Sequence, residues 1–253
     1  MVKDKTKLQD KVALITGANR GIGLATARSL GKLGVNIMIG SRNRQNGEEA
    51  AAVLRSEGIQ AEALLLDITS DVDRQKAYDF INQRYGKLDI LINNASVQKE
   101  IEHLSPVNLT STISTDLLRE TFDSNFFSHV ELTRQLLPLL RMAPAARIVN
   151  VSSILGSLNL QDNPDSPIRE LKIFAYNASK TAINSFTIHL AHELKDTQIK
   201  VNSAHPGWVK TELGGQYAEM EVEDSPKTSV LLATLPDDGP TGKFFHLNEE
   251  LPW

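Results

Sequence analysis

The chain has 253 residues, with 27 Lys and Arg against 31 Asp and Glu and no cysteine. That length fits one α/β domain of Rossmann or barrel size, or two small domains, with roughly 70–75% of the unfolded surface buried and no staple needed. A net charge of −4 leaves no basic footprint for nucleic acid or anionic membrane, and the cysteine count excludes a disulfide scaffold, thiolate metal sites and a thiol nucleophile.

The apolar run Val12–Ile15 predicts the first strand, ending at Thr16-Gly17. Gly21–Leu33 predicts a helix with Ile22, Leu24, Ala25, Ala27, Leu30 and Leu33 apolar, and Gly34 as its stop. Val35–Ile39 is a second strand, Gly47–Glu57 a helix closed by Gly58, and Ala61–Leu66 a third strand. Asp71–Tyr85 is a helix stopped by Gly86, and Leu88–Ile92 a fourth strand. Arg147–Val151 and Ile199–Ala204 are two more, separated by a long helix near Ala175–Leu194, and Lys243–Leu247 is the last. About seven short, almost wholly apolar strands imply burial on both faces, and their alternation with helices predicts a single-domain, doubly wound parallel sheet of Rossmann type. Residues 157–173, polar and carrying Pro164 and Pro167, read as an inserted loop. Residues 205–236 read as a loop-and-helix segment on the substrate side, with Glu219–Pro226 and Pro236–Pro240 as loops. Met1–Lys11 lacks the apolar core of a secretory signal, and no run approaches the roughly 18 apolar residues that span a bilayer. A cytoplasmic protein without membrane or nucleic-acid partners is expected.

Thr16-Gly17-Ala18-Asn19-Arg20-Gly21-Ile22-Gly23 lies between the first strand and the first helix. In a doubly wound sheet, ligands bind beyond the carboxyl ends of the strands, and glycines let the backbone approach a pyrophosphate at a helix N-terminus. No Gly-Lys-Ser/Thr follows, so a P-loop is excluded. The spacing, Gly-x3-Gly-x-Gly, resembles the short-chain dehydrogenase/reductase family, and further family motifs follow in order from Lys11 to the end. Asp67-Ile68 after the third strand resembles the adenine-binding position, and Asn93-Asn94-Ala95 the Asn-Asn-Ala-Gly segment. Asn125 resembles the family's catalytic asparagine, Ser153 its serine, Tyr176-x3-Lys180 its Tyr-x3-Lys signature, and Pro206-Gly207, Val209 and Thr211 the segment against the nicotinamide. Two departures stand out. Ser96 replaces the usual glycine, and the Ser153-to-Tyr176 separation is longer than usual, the excess falling on residues 157–173.

In Rossmann sites an acid after the second strand holds the ribose 2′-hydroxyl, whereas arginine accommodates a 2′-phosphate. Here the strand runs Ile39-Gly40-Ser41-Arg42-Asn43-Arg44, with Gly40 at about the acid's place and no carboxylate before Glu48. Arg42 offers a planar donor fork and Arg20 approaches from the glycine loop, so NADP(H) is the expected cofactor.

Tyr176 and Lys180 are four apart and share a helical face. A nearby ammonium and an oxidised nicotinamide ring are expected to lower the tyrosine pKa, letting it exchange a proton with an alkoxide. Ser153 is placed to hydrogen-bond the substrate carbonyl. The resemblance further implies that Lys180 binds the nicotinamide ribose and Asn125 holds a water in a proton relay.

Other combinations carry less. His189 and His192 share a face, but the residue four after His192 is Asp196, so no zincin motif is present and no metal is expected. His205 is read as lining the cofactor loop. Ser152 and Ser153 lack the Gly-x-Ser-x-Gly elbow. Asn108-Leu109-Thr110 matches a glycosylation acceptor without a secretion signal.

Residues 202–215 and 239–245 resemble the carbonyl reductase branch of the family, with Val97, Leu155, Trp208, Leu213 and Tyr217 forming an apolar substrate wall. NADPH-dependent reduction of a ketone or aldehyde is therefore the leading expectation. The alternatives are a specific alcohol, sugar or hydroxysteroid dehydrogenase, or a dinucleotide-sensing protein without catalysis. Monomer and homo-oligomer both stay open.

Overall fold

The computed structural model describes residues 8–102, 105–106, 109–215 and 217–253. Strand β1 (Val12–Thr16) is buried at every position. Its side chains alternate between the two faces: Val12 and Leu14 join one apolar cluster, Ala13 and Ile15 the other. Helices therefore have to cover both sides. They are supplied in order: α1 (Gly21–Gly31), β2 (Asn36–Ser41), α2 (Arg44–Ser56), β3 (Ala61–Leu65), α3 (Asp71–Tyr85) and β4 (Ile90–Asn93). Gly86 ends α3 in the left-handed conformation at φ +67, which suits a residue without Cβ.

A two-stranded pair, β5 (Ile101–Glu102) and β6 (Ser105–Pro106), follows. Helix α4 (Thr115–Phe122) runs through a π-helical turn (Asp123–Phe127) into α5 (Ser128–Met142). Then come β7 (Arg147–Val151), a 3-10 turn (Ile154–Gly156), α6 (Leu158–Asp162), α7 (Phe174–Glu193), β8 (Lys200–Ala204), α8 (Pro226–Ala233), β9 (Phe244–His246) and β10 (Glu249–Glu250).

Among the described residues the sheet has eight strands in the order β10-β9-β8-β7-β4-β1-β2-β3, one more than expected, because β10 adds a short antiparallel edge to β9. The others are parallel. The insertion is not all loop, since α6 lies within it. Of the glycosylation-like triplet, Asn108 lies outside the described residues. Among the described residues no helix is long and apolar enough to cross a membrane, and no group of acidic or histidine side chains could hold a metal.

Strand order reverses between β1 and β4. The register pairs Thr16 with Gly40 and Asn93 with Asn150, so the carboxyl ends of β2, β1, β4 and β7 open on one side. The crevice above that reversal is where a doubly wound sheet binds its ligand.

Candidate active site

Thr16 builds the floor of the crevice. Its hydroxyl accepts the N–H groups of Asn94 and Ala95, both at 2.9 Å, and the Asn94 amide returns a bond to the Thr16 carbonyl at 2.7 Å. The glycine loop is thus tied to the loop after β4. Gly17 and Gly21 adopt φ of +62 and +54. A Cβ on Gly23 would lie 2.6 Å from the Gly17 carbonyl oxygen and 2.8 Å from Ala18 Cα. Those neighbours are backbone and cannot step aside. Gly23→Ala should therefore displace the loop, cost about 1–3 kcal/mol and weaken dinucleotide binding more than tenfold; a fluorescence titration and a melting curve read both.

Above the loop, α1 starts at Arg20 with no side-chain cap and no acid in its first turn. Its free N–H groups and positive dipole end suit a pyrophosphate. Asn19 and Ile22 are half-buried beside them. At the end of β2, Ser41 is buried and donates to the Asn43 carbonyl, while Asn43 caps α2 by accepting from Asn46. Arg42 is exposed and has no ion-pair partner among the described residues. The Arg20 guanidinium pairs with Glu212, from the loop after β8, in an exposed contact.

The candidate reacting groups come from two places, the turn after β7 and helix α7. Ser153 follows β7 and caps the 3-10 turn, accepting from Leu155 N at 3.2 Å. Tyr176, in the first turn of α7, lies near enough to Ser153 for that hydroxyl to favour its ionised form slightly. Lys180 sits one turn on, its Nζ 5.5 Å from the Tyr176 ring centroid and donating to the Val151 carbonyl at 2.9 Å. Gly156 brings these pieces together: a Cβ there would lie 2.8 Å from the Lys180 backbone carbonyl carbon.

Burial governs the titration of this group. It pushes the Tyr176 hydroxyl up to about 12, against a smaller downward pull from Ser153. It also brings the Lys180 ammonium down to about 7. The expected lowering of the tyrosine by its lysine is therefore reversed in the protein alone, since both groups lose their water. A tyrosine held neutral beside a hydroxyl is a proton donor.

Asn125 lies in the π-helical turn, fully buried. Its amide nitrogen donates to the Val97 carbonyl at 2.8 Å and Ser179 Oγ at 3.1 Å. Its oxygen accepts from Val97 N at 2.8 Å and Ser96 Oγ at 3.2 Å. Two donors and two acceptors are all this side chain has. The side chain braces the loop after β4 against α7, with all four of its hydrogen-bonding positions filled by the protein. Ser96, the departure from glycine, supplies one of the four bonds.

Several other expected residues turn inward. Asn93 donates to Thr133 at 2.9 Å and to Asn150 at 2.8 Å, and Asn150 donates on to Thr187, also at 2.8 Å. This buried ladder fastens β4 to β7 and α7, so the Asn93 side chain is not at the crevice. Ile68 packs into the core and its carbonyl accepts from Arg74. Asp67 Oδ1 accepts from the Thr69 N–H and hydroxyl.

After β8, Pro206 and Val209 are buried, and Gly207 at φ +97 leaves room for Met220. Thr211 is half-buried and accepts from Gly214 N. Trp208 is exposed and its indole N–H donates to the Gly214 carbonyl at 2.9 Å. Leu213 and Tyr217 are also exposed, whereas Val97 and Leu155 are half-buried beside Asn125 and Ser153. His205 is buried and packs on the His246 ring at 4.8 Å. Glu100, Gly156 and the Asn93–Asn150–Thr187 ladder had no local sequence signal.

A Rossmann crevice that ends in a buried Ser–Tyr–Lys group defines a class of protein, the dinucleotide-dependent oxidoreductases. The chain belongs to the short-chain dehydrogenase/reductase family, whose "short chain dehydrogenase" pattern matches residues 11–222. It is 31% identical to short-chain dehydrogenase/reductase 1 of Saponaria officinalis, over 97% of each chain. It is 30% identical to carbonyl reductase [NADPH] 1 of Mus musculus, over 96% of this chain and 98% of the other. Among solved structures it resembles the carbonyl reductase Sniffer of D. melanogaster, at 27% identity and a TM-score of 0.82, over 97% of this chain and all of that one.

Proposed function

We propose that the protein reduces the carbonyl of a small ketone or aldehyde to the alcohol, using NADPH. The observation that carries this reading is the buried, neutral Tyr176 hydroxyl with Ser153 near it and the Lys180 ammonium 5.5 Å from its ring centroid. When bound, the cofactor supplies the hydride. The chain supplies everything else. Ser153 donates a hydrogen bond to the substrate carbonyl oxygen and fixes its position. Tyr176 gives its proton to the oxygen as negative charge develops there. Lys180, once protonated, stabilises the phenolate left behind. Asn125 positions Val97 and the catalytic helix. Trp208, Leu213, Tyr217, Val97 and Leu155 form the apolar wall of the substrate site, with the loop-and-helix segment 205–236 on one side and residues 157–173 at its rim. Proline-bounded and polar, the insertion suits a border rather than a second domain.

Preference for the phosphorylated dinucleotide is assigned to Arg42, whose exposed guanidinium is free to receive a 2′-phosphate. Gly40 and Ser41 place no carboxylate against it. Among the matched relatives, the mouse carbonyl reductase carries NADPH in its name, which supports the same choice. A cysteine-free chain suits a reducing compartment, and the cytoplasm is the proposed location.

The test is steady-state turnover of a panel of ketones, aldehydes, sugars and steroids with NADPH and NADH. Reduction of simple carbonyls is expected, and turnover restricted to one sugar or steroid would replace this reading. In Arg42→Asp, the NADPH-to-NADH ratio of kcat/KM should fall by roughly 10- to 100-fold, since a charge-assisted bidentate contact becomes a repulsion. An unchanged ratio would remove Arg42 from the cofactor site.

A further inference from the structure

Helix α7 carries Tyr176 near its start, yet its own cap position holds Ile173, which makes no side-chain capping bond. The N–H groups left orphaned there are those of Ala175 and Tyr176, both on buried residues. A carboxylate from far upstream takes them. Glu100 Oε1 accepts from Ala175 N at 2.9 Å and Oε2 from Tyr176 N at 2.7 Å, a forked contact across 76 residues of sequence. Glu100 is 1% exposed and has no basic partner among the described residues, its neighbour Lys99 being paired with Glu120.

Burying a carboxylate is costly unless it is fully hydrogen-bonded. A serine or aspartate at position 173 would cap the same two donors without that cost. The remote carboxylate therefore accomplishes something a local cap cannot. It fixes the loop after β4 to the first turn of α7. That loop is already fastened once, where Asn125 joins Val97 to Ser179. Glu100 adds a second anchor one turn earlier, on the Tyr176 backbone itself. Two anchors bracket the tyrosine and set how far its ring reaches toward Ser153.

We propose that Glu100 is a positioning residue for the reaction: its carboxylate, through the N–H groups of Ala175 and Tyr176, holds the Tyr176 hydroxyl at the depth needed for proton transfer. This role rests on the proposed function.

Glu100→Gln keeps the size and one acceptor but turns an amino group toward one of the two donors. It should lower kcat on the order of 10- to 100-fold, the effect of a roughly 1 Å misplacement. KM for the carbonyl and the affinity for NADPH should stay at wild-type values. A melting temperature that falls with kcat does not by itself separate positioning from capping, and the double variant Glu100→Gln/Ile173→Ser does. Its serine restores a local cap, so the melting temperature should recover while kcat stays low. Recovery of kcat together with the melting temperature would overturn the positioning role, as would a wild-type kcat in Glu100→Gln. The controls are wild type and Tyr176→Phe. A wild type without NADPH-dependent turnover overturns the functional reading and this role with it. An active wild type, a dead Tyr176→Phe and a fully active Glu100→Gln overturn this role alone.

Discussion

Tyr176→Phe is expected to bind NADPH as the wild type does and to lose turnover by about two to four orders of magnitude, the span attributed to a positioned acid or base. The substitution removes one oxygen and little else. The ring is held by burial, at 8% exposure, and by Lys180 Nζ at 5.5 Å from its centroid, contacts that phenylalanine keeps. Ser153 keeps its bond from Leu155 N. The proposed dinucleotide crevice is built on the glycine loop and the Thr16–Asn94 tie, whose hydrogen bonds involve no atom of Tyr176. What disappears is the hydroxyl that burial pushes up to about 12, a strongly neutral proton donor near Ser153. Single-turnover NADPH oxidation with a saturating carbonyl, beside a binding titration, measures the two properties separately. A kcat within tenfold of wild type would refute the acid role.

The parts of the site that sequence reveals are those whose chemistry is local. The glycine spacing is local because the turn, the helix start and the free N–H groups occupy eight consecutive residues. Tyr176 and Lys180 are local because one helical turn joins them, and α7 forms over nearly the expected span. Strand ends were legible from the length of each apolar run, and β7 matches its expected bounds. Residues 94–146 gave no expected element although α4 and α5 lie there. The π-helical turn at Asp123–Phe127 shifts the apolar period between them, and Pro138 inside α5 reads as a breaker. Polar residues on apolar strands misled for another reason. Asn93 finds its partner 57 residues away in Asn150, a pairing that only the strand register creates. Glu100 meets its helix 76 residues on. The rise of the Tyr176 hydroxyl in the protein alone is not legible, since a sequence shows which charges are near but not how much water is gone.

Acid should destabilise the fold strongly, and two histidines outside the reacting group are the main reason. His129 is buried, and its Nε2 lies 2.6 Å from the Ala95 carbonyl oxygen, which can only accept. Nε2 therefore carries the proton of the neutral ring, and Nδ1 is left buried with no partner. A second proton would place a charge there with nothing to receive it, so burial brings His129 down to about 4. His205, also with an unpartnered Nδ1, is brought down to about 3 by burial and, secondarily, by the neighbouring His246. In the unfolded chain both would titrate near ~6.5. Between that value and the folded one, the unfolded state binds more protons, so stability rises with pH and is lost as pH falls. The contribution is complete above about 6.5 and declines toward 4 for His129 and toward 3 for His205, a few kcal/mol from each. Lys180, brought down to about 7 from an unfolded value near 10.5, extends the same slope upward from about 7 to 10.5. Urea midpoints measured from pH 4 to 9 should climb throughout. His129→Gln/His205→Gln removes both imidazoles, and glutamine can still donate to Ala95. Its curve should be flat below pH 6.5 apart from the carboxylates, and an acid slope equal to the wild type's would assign the acid sensitivity elsewhere.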